Sequence, residues 1–252
     1  MRVENSFIGV EGVGEQTEQG LWAEGVVHWD DFYADAVGPT TAERIERFIA
    51  EGRTHLDANN AAYFDAAFPT SEQWRLWENF AERACCFDIE TTGLDEHRNQ
   101  VTTVSYYQDG DVETLVQGDD LTADALRAMV ADAEMLVSFN GKRFDVPFLE
   151  ANFDVDLDLP HLDLMYTCKQ LGLSGGLKPI EQEIGIERDR PDISGRDAVR
   201  LWREHERGRD GSLETLISYN REDAVNLATL ADEVTNELHA QTFEAVCESP
   251  SE

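Results

Sequence analysis

The pattern of apolar and polar positions differs between two parts of the chain, and the change falls near residue 83. In the first part, stretches beginning at Thr40 and Thr70 each carry Glu or Gln three residues later, followed by apolar residues at helical spacing. A threonine with Glu or Gln three positions on is typical of a capping box at a helix N-terminus. Residues 1–80 are therefore predicted to form a partly helical N-terminal extension.

Residues 81–247 are predicted to form a second domain that is built on short apolar strands. The run 84–89 is apolar apart from a single acid, which is typical of a buried central strand. Residues 101–107 and 112–117 are predicted to pair as a hairpin, because Asp109-Gly110 between them is a strong turn signal. The chain then predicts, in order, a helix over 122–133, a strand over 135–139, a helix over 145–152, a short strand over 162–164 and a long final helix over 212–240.

This order of elements predicts the fold class. Three antiparallel strands, a helix, a strand, a helix and a fifth strand make a mixed five-stranded sheet flanked by helices, which is an α/β fold. The same order is that of the ribonuclease-H-like arrangement. Element order suggests a fold without assigning a function, so the function must be argued from the site.

Three segments carry the candidate chemistry. Asp88 and Glu90 lie two apart at the end of the first strand, so their carboxylates face the same side. Asp145 follows the 135–139 strand at the start of a helix, and Tyr219 and Asp223 are four apart on the final helix. A buried charge is costly unless it is paired or bound to metal. An apolar strand that ends in two acids therefore indicates a divalent cation.

Four acids of this kind can hold two hard cations such as Mg²⁺ or Mn²⁺. Two such ions about 3.5–4 Å apart clamp the attacking and the leaving oxygen of a phosphoryl displacement. A tyrosine hydroxyl beside them can orient the attacking water. The alternative for Asp88 and Glu90 is a hairpin-end acid pair, which leaves the apolar run before them unexplained. Tyr219 and Asp223 taken alone would suit an ordinary pair on a helix surface.

The motifs D-I-E-T-T-G-L, N-x-x-x-F-D and Y-x-x-x-D, in that order, resemble the DEDD exonucleases in their tyrosine subgroup, which are relatives of DNA polymerase proofreading domains. The closest resemblance is to the YprB-type ribonuclease-H-like proteins of bacteria and archaea, and it covers roughly residues 83–235. A weaker likeness extends to the N-terminal part, through Gly12-Val13-Gly14, Leu21-Trp22 and Trp29-Asp30-Asp31-Phe32.

The resemblance implies a role for each residue of the three motifs. Asp88 would bridge two metal ions, and Glu90 and Asp223 would complete the first metal site, with Glu90 also holding the attacking water. Asp145 would ligate the second metal, mainly through water. Tyr219 would orient the nucleophile. These roles predict two Mg²⁺ or Mn²⁺ ions as cofactors.

Five further residues are predicted to contact the substrate: Thr91, Leu94, Asn140, Lys142 and Arg143. By the resemblance, Thr91 and Leu94 would contact the terminal nucleotide and Asn140 would hold the second motif in place. Lys142 and Arg143 lie beside Asp145, where they suit a substrate phosphate as well as an ordinary surface.

The net charge of the chain indicates the salt concentration in which the protein works. The 252 residues carry 52 Asp and Glu against 20 Lys and Arg, a net charge of −32, and only three of the basic residues are lysines. Such a surface is expected in molar intracellular salt, where the Debye length is about 3 Å at 1 M. We therefore expect a halophilic, haloarchaeal source; an acidic mesophilic protein is the alternative. The strongly negative net charge also disfavours non-specific binding to nucleic-acid duplexes.

Four arginines follow helical spacing and form one stripe: Arg196, Arg200, Arg203 and Arg207. The stripe is either a phosphate-tracking edge or a solvated face paired with Glu204, Glu206 and Asp210, and the second reading is favoured slightly. His161 and Asp163 could form a further ligand pair, although a polar cluster at a strand end is the favoured interpretation.

No apolar run approaches the roughly 18 residues of a membrane span, and no signal-peptide core follows the first residues. Four cysteines without a C-x-x-C pair argue against a zinc knuckle and against a disulfide scaffold. A cytoplasmic location without membrane contact is therefore expected.

Together these observations predict a metal-dependent nuclease that acts on single-stranded DNA or RNA by a two-metal mechanism. The same carboxylate geometry also serves endonucleases, and it is the family resemblance that implies a 3′-to-5′ exonuclease. Two alternatives stay open. One is a module that binds nucleic acid or a repair protein with slow or absent turnover. The other is an RNA-directed ribonuclease.

Overall fold

The computed structural model describes residues 1–248, and the contacts within it divide the chain into two units. One unit consists of Glu82–Ala231. The other, called the first unit below because it begins at Met1, combines Met1–Ala81 with the described residues from Asp232 to Glu248.

The first unit is mainly helical. Its N-terminal part contains helices α1 (Glu15–Ala23), α2 (Pro39–Asp57), α3 (Ala61–Ala67) and α4 (Trp77–Phe80), with short 3₁₀ turns between them. Both predicted capping boxes are wrong. Helix α2 begins at Pro39, because proline suits the first helical position, so Thr40 already lies inside the helix. Thr70 opens a 3₁₀ helix, Thr70–Leu76, with Pro69 in the capping position.

A buried ion pair organises the core of this unit. Arg75 and Glu18 are each 1% exposed, and Arg75 Nη1 lies 2.9 Å from Glu18 Oε2. Glu18 Oε1 also accepts hydrogen bonds from the Ser6 hydroxyl and from the backbone amides of Phe7 and Ile8. Since each of these partners satisfies the buried carboxylate, the network fixes the N-terminal segment against α1.

The second unit contains the five-stranded sheet. Its strands are β1 (Ala84–Thr91), β2 (Val101–Gln108), β3 (Asp111–Val116), β4 (Met135–Ser138) and β5 (His161–Asp163), in the order β3-β2-β1-β4-β5. The three strands on one side pair antiparallel, whereas β4 and β5 run parallel to β1. The predicted α/β fold, a mixed five-stranded sheet flanked by helices, is confirmed.

The hairpin between β2 and β3 turns where the sequence predicts. Asp109 and Gly110 have φ angles of 51° and 86°, and Gln108 pairs with Asp111. Two positive φ angles in a two-residue loop match the right-handed twist of the strands, which is why Asp-Gly is favoured there.

Helices cover the sheet: α5 (Ala123–Val130), α6 (Asp145–Asn152), α7 (Leu164–Gln170), α8 (Leu177–Ile184), α9 (Gly195–Glu206) and α10 (Ser212–His239). A π-helical stretch and a short α11 (Ala245–Cys247) follow. Helix α6 has the bounds that the sequence predicts, and α10 ends one residue earlier than predicted. The boundary between the two units falls within α10.

Alternation along β1 decides which residues enter the core. Cys85, Phe87 and Ile89 pack with α5 and α6 in one apolar cluster. Successive side chains of a strand point to opposite faces, so Asp88 and Glu90 face the other side of the sheet. Within residues 1–248, no helix combines the length and the apolar character that crossing a bilayer requires.

Candidate active site

Asp88 and Glu90 stand at the carboxyl end of β1. Glu90 is 8% exposed, and Asp88 is partly buried. The pairing of β1 with β2 shifts between Glu90, opposite Thr103, and Thr91, opposite Val101. Such a bulge bends a strand and re-aims its side chains. The irregularity follows directly after the second acid, where β1 leaves the regular ladder.

Helix α10 brings Asp223 and Tyr219 to the same place. Asn220, directly after Tyr219 in the sequence, is fully buried and connects the helix to the sheet. Its Nδ2 donates to the Asp88 carboxylate at 2.7 Å and to the Asp88 carbonyl at 3.1 Å, and its Oδ1 accepts from Thr103 at 2.8 Å. These three bonds fix the rotation of α10, so that the face with Tyr219 and Asp223 meets β1.

Three carboxylates converge as a result. One oxygen each from Asp88, Glu90 and Asp223 lie within 4.8 Å of one another. Asp223 also forms a hydrogen bond with Tyr219. Carboxylates taken from two distant segments and placed this close repel one another unless a cation or protons compensate them.

Asp145 lies beside this group but is not one of the three residues whose oxygens lie within 4.8 Å of one another. It is the first residue of α6 and is 4% exposed, and its Oδ1 accepts a hydrogen bond from the Ile89 amide at 3.2 Å. That amide belongs to the residue between Asp88 and Glu90. The fourth acid is therefore held against the backbone of β1, next to the three converging carboxylates.

A polar cluster at the end of β5 holds the loop that carries the second motif. Asp163 accepts hydrogen bonds from the backbone amides of Asn140 at 2.7 Å and Lys142 at 3.2 Å. His161 Nε2 lies 2.7 Å from the Ser138 hydroxyl. Asn140 itself has a φ angle of 66°, a left-handed conformation that asparagine tolerates. His161 and Asp163 thus form the strand-end cluster that the sequence favours over a ligand pair.

The electrostatics of the acids reflect their crowding. Burial, together with the charges of Asp223 and Asp145, raises the pKa of Asp88 and of Glu90 well above the ordinary values. Burial likewise raises the pKa of Asp145 to about 7. Burial also raises the pKa of Tyr219, and the neighbouring carboxylates add to the shift, so the hydroxyl keeps its proton at neutral pH.

Two cations complete the site, and neither belongs to the three motifs. Arg188 Nη2 donates to Asp223 at 2.5 Å and to Glu181 at 2.9 Å. Lys178 Nζ lies 4.4 Å from the centre of the Tyr219 ring, and this buried atom has no hydrogen-bond partner among the described residues. Burial lowers the pKa of Lys178. No periodic signal links either residue to Asp223, because each comes from a helix or loop placed only by the tertiary fold.

The charge balance tests whether metal ions fit. Six carboxylates lie in the cluster or on Arg188: Asp88, Glu90, Asp145, Glu181, Glu222 and Asp223. Arg188 and Lys178 are the cations that act on these acids, so full ionisation leaves an excess of negative charge. Two divalent cations supply four positive charges, and carboxylate oxygens are the ligands that hard cations prefer. The residues present therefore fit a pair of Mg²⁺ or Mn²⁺ ions.

A cavity of about 310 Å³ opens beside the acids. Its lining includes Asp88, Glu90, Asp223, Tyr219 and Lys178. Cavities that bind small molecules commonly have volumes of about 300 Å³ or more. The cavity therefore offers room for one ligand of small-molecule size next to the converging carboxylates.

The five predicted substrate contacts lie outside the lining of this cavity. Thr91 is buried and donates to the Gly93 carbonyl at 2.6 Å, while Leu94 is 85% exposed. Lys142 and Arg143 are exposed in the loop that leads into α6. None of the five is among the described residues that line the cavity.

The arginine stripe lies on and just after α9, with all four side chains exposed. Arg200 pairs with Asp197 at 3.3 Å and with Glu204 at 3.0 Å. For Arg200 this agrees with a solvated face paired with acids.

A comparison with protein families matches the RNase_H superfamily over residues 85–235, which is more than half of the chain. The chain therefore belongs to the RNase_H superfamily. The matched range contains β1 from its second residue, the other four strands in full and each acid of the cluster.

Three solved structures illustrate the likeness. The family B DNA polymerase from the hyperthermophilic archaeon Pyrobaculum calidifontis is 16% identical, with a TM-score of 0.45 over 66% of this chain and 27% of the polymerase. A nuclease in its apo form is 18% identical, with a TM-score of 0.48 over 71% of this chain and 83% of the other. Brucella melitensis NrnC bound to pGG is 16% identical, with a TM-score of 0.43 over 68% of this chain and 80% of the other. A comparison with curated proteins gave no match.

Proposed function

We propose that this protein is a metal-dependent nuclease that hydrolyses phosphodiester bonds. The observation that carries the proposal is the convergence of Asp88, Glu90 and Asp223, whose oxygens lie within 4.8 Å of one another on elements far apart in sequence. A cluster that is crowded, mostly buried and short of positive charge is the environment in which divalent cations are bound.

Asp88, Glu90, Asp145 and Asp223 would hold two Mg²⁺ or Mn²⁺ ions. When bound, such ions stabilise the negative charge that develops on the attacking and leaving oxygens of an in-line displacement. Asp145 is already held against β1, since its carboxylate accepts a hydrogen bond from the Ile89 amide.

The remaining chemistry belongs to side chains that line the cavity. Tyr219 keeps its hydroxyl proton and is bonded to Asp223, so it would orient a water molecule for attack on the phosphorus. Lys178 presents an ammonium group with hydrogen bonds to spare, which would contact a phosphate oxygen of the substrate.

The finer assignment is a 3′-to-5′ exonuclease of the DEDD tyrosine subgroup, of the YprB type, acting on single-stranded DNA or RNA. Three motifs in the required order support the subgroup. The cavity of about 310 Å³ suits one terminal nucleotide, and the net charge of −32 opposes the gripping of a long duplex. Residues 81–247 would form the catalytic domain.

The predicted substrate contacts would lie at the rim of this site. Thr91 and Leu94 would contact the terminal nucleotide, with Lys142 and Arg143 near its phosphates and Asn140 holding the second motif. The acidic composition supports activity in molar salt in the cytoplasm of a halophilic archaeon.

A cleavage assay tests the proposal. The full chain is incubated in molar KCl with Mn²⁺ or Mg²⁺ and with matched single-stranded DNA and RNA labelled at the 5′ end. We expect a ladder of products that shorten from the 3′ end, and Asp88→Asn should lower the rate by about 10²–10³-fold. The matched control is Asp124→Asn, which changes an exposed acid on α5 that is paired with Arg127.

Each other outcome has a distinct meaning. Equal cleavage by wild type and Asp88→Asn would refute catalysis by this cluster. Internal fragments without a ladder would replace the exonuclease by an endonuclease. Binding without cleavage under every metal and salt condition would leave a nucleic-acid-binding module, and cleavage of RNA alone would identify a ribonuclease.

A further inference from the structure

The guanidinium of Arg188 is buried between carboxylates of two helices. Its side chain is 5% exposed, and those of Glu181 and Asp223 are 1% and 7% exposed. Arg188 Nε and Nη2 both donate to Glu181, and Nη2 also donates to Asp223 at 2.5 Å. One planar group therefore joins α8 to the carboxylate on α10.

Hydrogen bonds of the backbone on either side of Arg188 also fix its position. Helix α8 ends at Gly185, whose φ angle is 85°, and the Ile186 amide then donates to the Glu181 carbonyl at 2.8 Å. This tight turn sends the chain back toward α10. The amide of Asp189 donates to Glu222, the residue before Asp223. Both ends of the short segment that carries Arg188 are thus tied to the helices that it joins.

We propose that Arg188 is a positioning residue that orients the Asp223 carboxylate for metal binding, with Glu181 as its anchor. The proposal rests on the proposed function, since it assigns Asp223 to the metal. The terminal torsion of an aspartate is broad, so its carboxylate needs partners to define one orientation. A guanidinium always carries its charge, has no lone pair for a metal and bonds two carboxylates in a fixed fork.

A purely electrostatic effect of Arg188 would change the metal affinity in the opposite direction. If Arg188 acted only as a nearby positive charge, it would repel a divalent cation, and removing it would tighten metal binding. If it orients Asp223, removing it weakens metal binding. Arg188→Lys separates the two effects, because lysine keeps the charge and loses the fork.

The experiment measures metal affinity directly. Mn²⁺ binding to the full chain is followed by electron paramagnetic resonance or calorimetry in molar KCl, and circular dichroism checks the fold without metal. We expect Arg188→Lys to weaken Mn²⁺ binding by about 10–100-fold, the range found when partners of metal ligands are removed. Arg200→Lys is the matched control, since Arg200 bonds two carboxylates on the exposed face of α9.

A double-mutant cycle distinguishes orientation from general structural support. In an Asp223→Asn background, Arg188→Lys should have no further effect on Mn²⁺ affinity, whereas a general loss of structure would add its full effect there too. If Arg188→Lys does not fold, Glu181→Gln serves instead, because it loosens the anchor and should weaken Mn²⁺ binding in the same direction.

Unchanged or tighter Mn²⁺ binding in Arg188→Lys, or in Glu181→Gln where that variant serves, would overturn the positioning role while leaving the proposed nuclease intact. Wild type that binds no Mn²⁺ would overturn both proposals together. Weaker binding with an equal further loss in the Asp223→Asn background would overturn the positioning role in favour of general structural support.

Discussion

Two buried charge networks, one in each unit, follow different rules. In the first unit, Glu18 accepts two backbone amides, the Ser6 hydroxyl and Arg75, and Arg75 also pairs with Glu72 at 2.6 Å. In the second unit, Asp88, Glu90 and Asp223 crowd together with only partial compensation from Arg188. Groups of the chain itself compensate the buried carboxylates of the first network. They compensate those of the second network only in part, so the second network needs positive charge from outside the chain.

This difference indicates which network is structural and which is functional. A buried carboxylate that accepts several hydrogen bonds and an arginine is stabilised in the folded state. Buried carboxylates whose pKa values are raised by one another make the folded state less stable at neutral pH. Such a cost persists where a site must bind or react, and perturbed pKa values cluster at functional sites for that reason.

The largest expected effect comes from breaking the structural network. Arg75→Met leaves Glu18 and Glu72 without their buried cation, and removing one partner of a buried pair costs about 3–5 kcal/mol. We expect the free energy of unfolding to fall by that amount, measured by urea denaturation in molar KCl. The control is Arg53→Met, because Arg53 pairs with Asp30 on the surface. An equal loss in both variants would remove the distinction between buried and exposed pairs.

In the acid cluster we expect the opposite, namely a substitution that raises the free energy of unfolding. Asp88→Asn removes one of the repelling charges while its side-chain oxygen can still accept the bond from Asn220. Without metal at pH 7.5, the free energy of unfolding should therefore rise by about 1 kcal/mol or more, since one pKa unit corresponds to about 1.4 kcal/mol. Thermal unfolding in excess chelator measures it. A variant less stable than wild type would place the cluster among the structural networks.

The regular elements of the second unit could be predicted because each has a local cause. Alternation places Asp88 and Glu90 opposite the core, Asp109-Gly110 sets the hairpin, and Thr122 caps α5 by accepting from the Ala125 amide. The superfamily match confirms the predicted fold. The DEDD subgroup, the roles of the site residues and the halophilic origin stay predictions.

Other parts of the site depend on contacts that no local pattern specifies. Asn220 lies between two motif residues, yet its role becomes visible only when α10 meets β1. Arg188 reaches Asp223 because Gly185 ends α8 and turns the chain, and Lys178 meets Tyr219 through the same packing. The capping boxes failed for a local reason, since Pro39 and Pro69 precede the threonines and determine how each helix begins.

The smallest expected effect concerns a buried histidine of the second unit that is satisfied internally. His161 lies beside Ser138, Phe87 and Asp163, and burial, helped by the charge of Lys142, lowers its pKa to about 3. The unfolded chain, with an ordinary histidine pKa of about 6.5, then binds more protons than the folded chain between pH 6.5 and 3. The stability that neutral His161 contributes is thus full above pH 6.5 and is lost as the pH falls.

We compare wild type with His161→Gln, which keeps a polar partner for Ser138 and removes the titration, so that the contributions of other groups cancel. Between pH 7.5 and pH 5.5, wild type should lose about 1 kcal/mol of unfolding free energy relative to the variant. Urea denaturation at the two pH values, in molar KCl with chelator, measures this difference. Parallel losses in both proteins would mean that His161 gains its proton without cost, and the cluster at the end of β5 would then be open to water rather than satisfied from within.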